Sequence, residues 1–149
     1  MEFIIINEKH RCDSIFSHTA WAGYLKPSWT PEPEERPTAY IAILNTQPKN
    51  VYVYFDVGIA MAYIVLTAQT LDYGSCILCK INKKEIKKLL KIPESVELKA
   101  LVALGRKNEI VKREERIDEV KYWRDDDGIF HIPKKPLSSI IHKQRFTSY

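Results

Sequence analysis

The chain has 149 residues, of which 45% are hydrophobic and 28% charged, enough for one globular domain with a single core and too few for two. Five Gly and eight Pro beside 11% aromatic residues exclude a collagenous, low-complexity or disordered chain, because there is ample apolar surface to offset chain entropy. A net charge of +4, from 23 Lys and Arg against 19 Asp and Glu, permits a nucleic-acid partner without pointing to one.

Phe3 to Ile6 is a run of β-formers that reads as an interior strand beginning almost at the first residue. No basic n-region, apolar h-region and cleavage site precede it, and the three Cys are an odd number. Both features predict a reduced, cytoplasmic protein. From Glu8 to about Trp21, Cys12, Ile15, Phe16 and Ala20 fall near helical spacing, and Gly23 is the expected stop. Pro27, Pro31, Pro33 and Pro37, interleaved with Glu32, Glu34 and Glu35, predict an extended surface loop.

Tyr40 to Leu44 reads as a second interior strand, followed by a turn at Pro48-Lys49-Asn50 and a short extended piece from Val51 to Phe55. Asp56 then reads as the N-cap of a helix from Val57 to Leu71, apolar on every side as expected of a helix buried all round and stopped by Gly74. The longest apolar stretch, Val57 to Leu66, is interrupted by Gly58 and Tyr63 and is well short of the ~20 residues that cross a bilayer, so no membrane span is predicted. Ser75 to Cys79 is a strand, and Asn82 with Glu85 starts a helix through Lys91 whose apolar face is Ile86, Leu89 and Leu90. The unbroken run Ala100 to Leu104 within Val96–Leu104 marks a central strand closed by Gly105. Asp127-Gly128 between Tyr122-Trp123 and Ile129-Phe130 reads as a hairpin turn, and a basic tail runs from about 133 to 149.

Cys76 and Cys79 form a CxxC, which in a reduced compartment suggests metal or dithiol chemistry. Residues three apart on a strand face opposite ways, and no second CxxC completes a zinc site. The pair also precedes a strand-to-helix turn rather than opening a helix, where the dipole would lower a thiol pKa, so both Cys read as structural. His10, His18, His131 and His142 lack the i, i+4 spacing of a zinc helix and read as surface or packing residues. The lysines from Lys83 to Lys91 and the run Asp125-Asp126-Asp127 read as solvated charge. Neither a phosphate-cradling loop nor a nucleophile elbow is present.

Four phrases in order change this reading: Asp56-Val57-Gly58-Ile59-Ala60, Leu71-Asp72-Tyr73-Gly74-Ser75-Cys76, Leu89-Leu90-Lys91-Ile92-Pro93 and Leu101-Val102-Ala103-Leu104-Gly105. Together with Lys134-Lys135-Pro136-Leu137 they resemble the flavin-dependent nitroreductase family. The resemblance implies an α+β fold with a mostly antiparallel sheet flanked by helices, a three-layer α/β/α sandwich, over one domain spanning 1–149. It also implies a homodimer, FMN at the subunit interface, NADH or NADPH as reductant, and a small electron-poor acceptor, with no nucleic-acid or membrane partner. Backbone atoms of Leu78, Cys79 and Lys80 would border the flavin N5 edge. Lys134, with Lys135, would meet the phosphate, and Arg106 would add positive charge. The family's Arg-Ser-x-Arg segment and Pro-Ser-x-x-Asn loop are absent from this sequence, which therefore resembles an N-terminally shortened member. Cys79-Lys80 stands where the family has Gly-Gly. A flavin-free member of the same fold, without catalysis, is the alternative these departures imply.

Overall fold

The two most apolar strands pair at the centre of the first sheet in the computed structural model, which describes residues 1–47, 49–116 and 118–146. β2 (Ala39–Asn45) and β4 (Glu97–Arg106) are flanked by β1 (Glu2–Ile6) and β3 (Tyr73–Leu78), in the order β1-β2-β4-β3, with every pairing antiparallel. Alternation along the strands sends Tyr40, Ala42, Leu44, Leu101 and Ala103 to one face, where they meet Cys12 and Ile15 of α1 (Lys9–Phe16) and Ile86 of α3 (Lys83–Leu89). Ile43 and Val102 point to the other face and pack on Val53 and Val57 of α2 (Val53–Thr70). The result is the expected α+β arrangement, helices on both faces of an antiparallel sheet. The register slips between Ile43 and Leu44, which pair with Ala100 and Leu98. The extra residue, Lys99, is a bulge that lets Leu98 and Leu101, three apart, enter the same core.

Those elements belong to one compact unit, Met1–Trp21 with Thr30–Asn108; a second comprises Ala22–Trp29 and the chain from Glu109 onward. The second unit has its own sheet of β5 (Val111–Glu115), β7 (Phe130–Lys134) and β6 (Trp123–Arg124), with β7 central, parallel to β5 and antiparallel to β6. The hairpin expected at Asp127-Gly128 is present: Gly128 takes φ +78 and donates to the Asp125 carbonyl at 3.0 Å.

Several sequence expectations are corrected. β1 is an edge strand of this sheet, and its Ile5 is 72% exposed. α1 stops at Phe16, where Thr19 begins a bridge to Ile81 instead of a further turn. Residues 53–55 are helical, not extended, because Asn50 starts the helix: its side-chain oxygen accepts the Tyr52 N–H at 2.9 Å, so Asp56 lies in the first turn and is not the cap. The turn assigned to Pro48-Lys49-Asn50 falls partly on Pro48, outside the described residues. α2 ends at Thr70, with Asp72 at φ 60, and Gly74 lies within β3 opposite Gly105. The proline-rich loop contains a 3-10 turn, Pro33–Glu35, whose entry is closed by a reciprocal pair between Glu32 and Glu35. The basic tail starts inside a strand, since Pro133 and Lys134 pair with Glu114 and Glu115.

Candidate functional site

In the first unit the sheet delivers an exposed strand end. Leu78 is buried opposite Leu101, and the chain then leaves the ladder with Cys79 and Lys80 exposed. The Lys80 carbonyl accepts the Ala20 N–H at 3.2 Å and the His18 carbonyl accepts the Asn82 N–H at 2.8 Å, so the segment is pinned beside α1. Among the described residues no backbone carbonyl takes the N–H of Cys79 or Lys80. Two donors therefore stand at the rim of the sheet, where the resemblance places the flavin N5 edge. Neither residue has a positive φ, so glycine is not demanded here by backbone conformation. What Cys79 and Lys80 add is a side chain at the rim.

The sequence-derived residues are not all gathered there. Arg106 is exposed at the far end of the β3–β4 pair, opposite Tyr73, about 17 Å from the Leu78 end at ~3.4 Å per residue. Lys134 and Lys135 are exposed at the end of β7 in the second unit, and neither makes an ion pair among the described residues. The lysines of α3 are partly engaged, Lys87 with Glu94 at 3.4 Å and Lys88 with Glu85 at 2.8 Å. Cys76 and Cys79 are exposed and not disulfide-bonded, whereas Cys12 is buried, its thiol pushed up in pKa chiefly by that burial.

α2 shapes the other face of the first unit. Val53, Val57, Ala60, Ile64 and Ala68 form the stripe against the sheet, while Phe55, Ile59, Tyr63 and Leu66 form a second stripe, all exposed, with Tyr63 at 71%. The helix is thus apolar all round but covered on one side only. Between it and the sheet lies an open cavity of about 450 Å³ lined by Ile41, Tyr63, Thr67, Leu71, Tyr73 and Leu104. At 18 residues and a mean hydropathy of 1.3, α2 is long and apolar enough to cross a membrane, but its inner stripe belongs to the sheet core.

One polar cluster was hidden in the sequence. His131 is 8% exposed, with Nδ1 2.8 Å from Glu114 Oε1 and Nε2 2.8 Å from Asp125 Oδ2. Its ring stacks on Trp123 at 4.8 Å. The bond to Asp125, then that to Glu114, raises the imidazole pKa, and the same bonds lower both carboxylates. The hairpin at Asp127-Gly128 was the available signal, since it folds position 125 back beside 131; the parallel partner carrying Glu114 left none.

A family model described as the nitroreductase family matches residues 9–106, which span the first unit from α1 to the end of β4. No curated protein matches the chain. Among solved structures, an FMN-dependent nitroreductase from Clostridium difficile R20291 is similar with a TM-score of 0.64 and 22% identity, over 97% of this chain and 75% of that one. A nitroreductase family protein from Clostridium novyi NT is 27% identical with a TM-score of 0.58, over 70% of this chain and 61% of that one. An iodotyrosine deiodinase bound to FMN and 3-iodo-L-tyrosine is similar in fold, with a TM-score of 0.59 and 14% identity over 80% of this chain and 73% of that one.

Proposed function

Because the chain belongs to the nitroreductase family, we propose that it is an FMN-dependent oxidoreductase that moves hydride from NADH or NADPH to a small electron-poor acceptor. The observation that carries this reading is the β3 end: two backbone donors, on Cys79 and Lys80, held at an exposed rim within the segment the family model matches. FMN, when bound, supplies the hydride chemistry itself. The chain's part is to hold and orient it. The Cys79 or Lys80 N–H would hydrogen-bond N5, and the buried Leu78 side chain fixes the strand that presents them. Lys134, with Lys135 beside it, would neutralise the phosphate through charge-assisted bonds. Arg106, at the other end of the β3–β4 pair, would add positive charge away from the N5 edge. A shallow site of this kind accepts flat acceptors, and the 27–37 loop would select among them.

The second apolar stripe of α2 supports a homodimer, because a row of Phe55, Ile59, Tyr63 and Leu66 in water is unfavourable unless covered. The replacement of Gly-Gly by Cys79-Lys80 favours a second reading, a flavin-free protein of the same fold, since side chains at the rim crowd the approach of a ring.

Titrating the 149-residue chain with FMN, followed by NADH and NADPH oxidation with a nitroaromatic acceptor, tests both readings. At about 1.5–3 kcal/mol for each charged hydrogen bond, loss of the Lys134 ammonium should weaken FMN binding roughly tenfold to a hundredfold. Added FMN is expected to bind saturably, with Lys134→Ala weakening it by that factor. Absence of saturable FMN binding favours the flavin-free reading, and saturation with FMN that brings no NADH or NADPH oxidation overturns the oxidoreductase reading.

A further inference from the structure

The second unit contains a pocket whose wall includes Pro27, Ser28 and Trp29, the start of the loop proposed above to select acceptors. Tyr24, Leu25, Lys26, Pro27, Ser28 and Trp29 face Trp123 and Arg124 across a cavity of about 380 Å³, within the range of small-molecule sites. We infer that this pocket binds a planar aromatic anion, of the aryl carboxylate class, with its ring against the tryptophans and its charge on Arg124 and Lys26.

The walls are aromatic and fixed in place. Trp123 is held by its stack on His131 at 4.8 Å and an interplanar angle of 6°. Tyr24 packs edge-on against Tyr122 at 5.0 Å, and its N–H meets the Tyr122 hydroxyl at 3.4 Å. Tyr122 in turn packs on Phe130 at 5.1 Å. Such a frame costs little ordering when a flat ring enters.

The charge sits beside these rings. Arg124 donates through one terminal nitrogen to Glu109 at 2.6 Å, and its guanidinium lies over the rings of Trp29 at 4.7 Å and Phe130 at 5.4 Å. Rings stacked on a guanidinium do not accept its in-plane N–H groups as a carboxylate does. Its Nε is buried and has no hydrogen-bond partner. Lys26 is exposed at the mouth and makes no ion pair among the described residues. A carboxylate matches the guanidinium and the ammonium that line the pocket together, while the apolar remainder of the wall rewards a ring over a small inorganic anion. The site is separate from the proposed phosphate cations: Arg124 pairs with Phe130 at the start of β7, and Lys134 lies at its end.

The test is benzoate added to the flavin-free, ¹⁵N-labelled full chain, read from the three tryptophan indole N–H signals after assignment by Trp→Phe variants. Signals of Trp29 and Trp123 are expected to shift saturably at submillimolar to millimolar benzoate. That of Trp21, whose indole donates to Thr19 at 2.8 Å in the other unit, is expected to stay. Benzamide and acetate separate the ring from the charge, and each is expected to bind at least tenfold more weakly. Arg124→Gln should weaken benzoate about tenfold or more and leave benzamide unchanged. Lys26→Gln, at an exposed position with no ion pair among the described residues, should weaken it a fewfold and keeps the test open if the arginine variant unfolds. Equal binding of benzamide and benzoate, insensitivity to both substitutions, or no shift at 10 mM overturns the proposal. Because no flavin is present, none of these outcomes bears on the oxidoreductase reading.

Discussion

His131 meets a carboxylate at each ring nitrogen, so protons on both nitrogens satisfy the cluster and favour the imidazolium form. Its pKa is raised above the ordinary 6.5. The stabilisation it brings is therefore complete below that ordinary value and is lost as pH rises through the raised folded one. Glu114 and Asp125 have lowered pKa values, so their share is complete above the usual carboxylate range and is lost as pH falls below it through the lowered folded values. Thermal melts of the second unit should be flat between those limits and fall on the alkaline side. His131→Asn should be less stable at pH 6 and should lack the alkaline fall; an NMR midpoint for His131 at or below 6.5 would contradict this. Cysteine chemistry divides in the same physical way. Cys76 and Cys79 are exposed, and Cys12 is buried with its thiol 3.4 Å from the Thr38 carbonyl. Cys76→Ser with Cys79→Ser should leave any reductase turnover roughly intact, while Cys12 should resist a polar thiol reagent until the protein unfolds. Individual residues were the least legible part of the sequence: His131 looked isolated because the partners that define it arrive from β5 and from across a hairpin.

Helices and strands were better readable where local chemistry decides them. Asn82 accepts the Glu85 N–H at 3.3 Å as the sequence predicted, and α3, only seven residues long, depends on that cap and on the fully buried Ile86. Asn82→Ala should cost about 1 kcal/mol in a denaturant melt, within the usual range for an N-cap. The central strands declared themselves by unbroken apolar runs, but β1 carries such a run too and lies at an edge. Apolarity reports that a surface is to be covered, not what covers it. α2 repeats the lesson, being apolar on two opposite stripes with only one against the sheet. If the outer stripe is the dimer face, replacing Ile59 and Leu66 together by Glu should give a monomer by light scattering at micromolar concentration with the far-ultraviolet helical signal retained. A wild-type monomer under the same conditions would remove the dimer from the proposal.

At the scale of the whole molecule, the order of elements and the antiparallel α+β sheet were legible from motif order, because each phrase marks a junction between neighbouring elements. The β3 rim followed from the same phrases, whereas Arg106 was assigned by its nearness in sequence to a strand end, and the ladder carries it about 17 Å away from the Leu78 end at ~3.4 Å per residue. The second sheet was largely invisible, since β5 is short and charged and finds its parallel partner through a connection with no apolar period. That sheet shares its unit with Ala22–Trp29, an excursion of the chain between two stretches of the first unit. Tyr24 and Tyr122, which bond and pack on each other, are 98 residues apart. On a ribosome adding roughly 5–20 residues each second, the first unit has its last strand soon after Arg106 emerges, while the excursion waits about 5 to 20 seconds after its own synthesis for the segment that will enclose it. During that interval Trp29, half-buried in the finished protein, is a fully exposed indole on a tethered nascent loop, so synthesis gives chaperones an apolar handle that the folded unit partly covers.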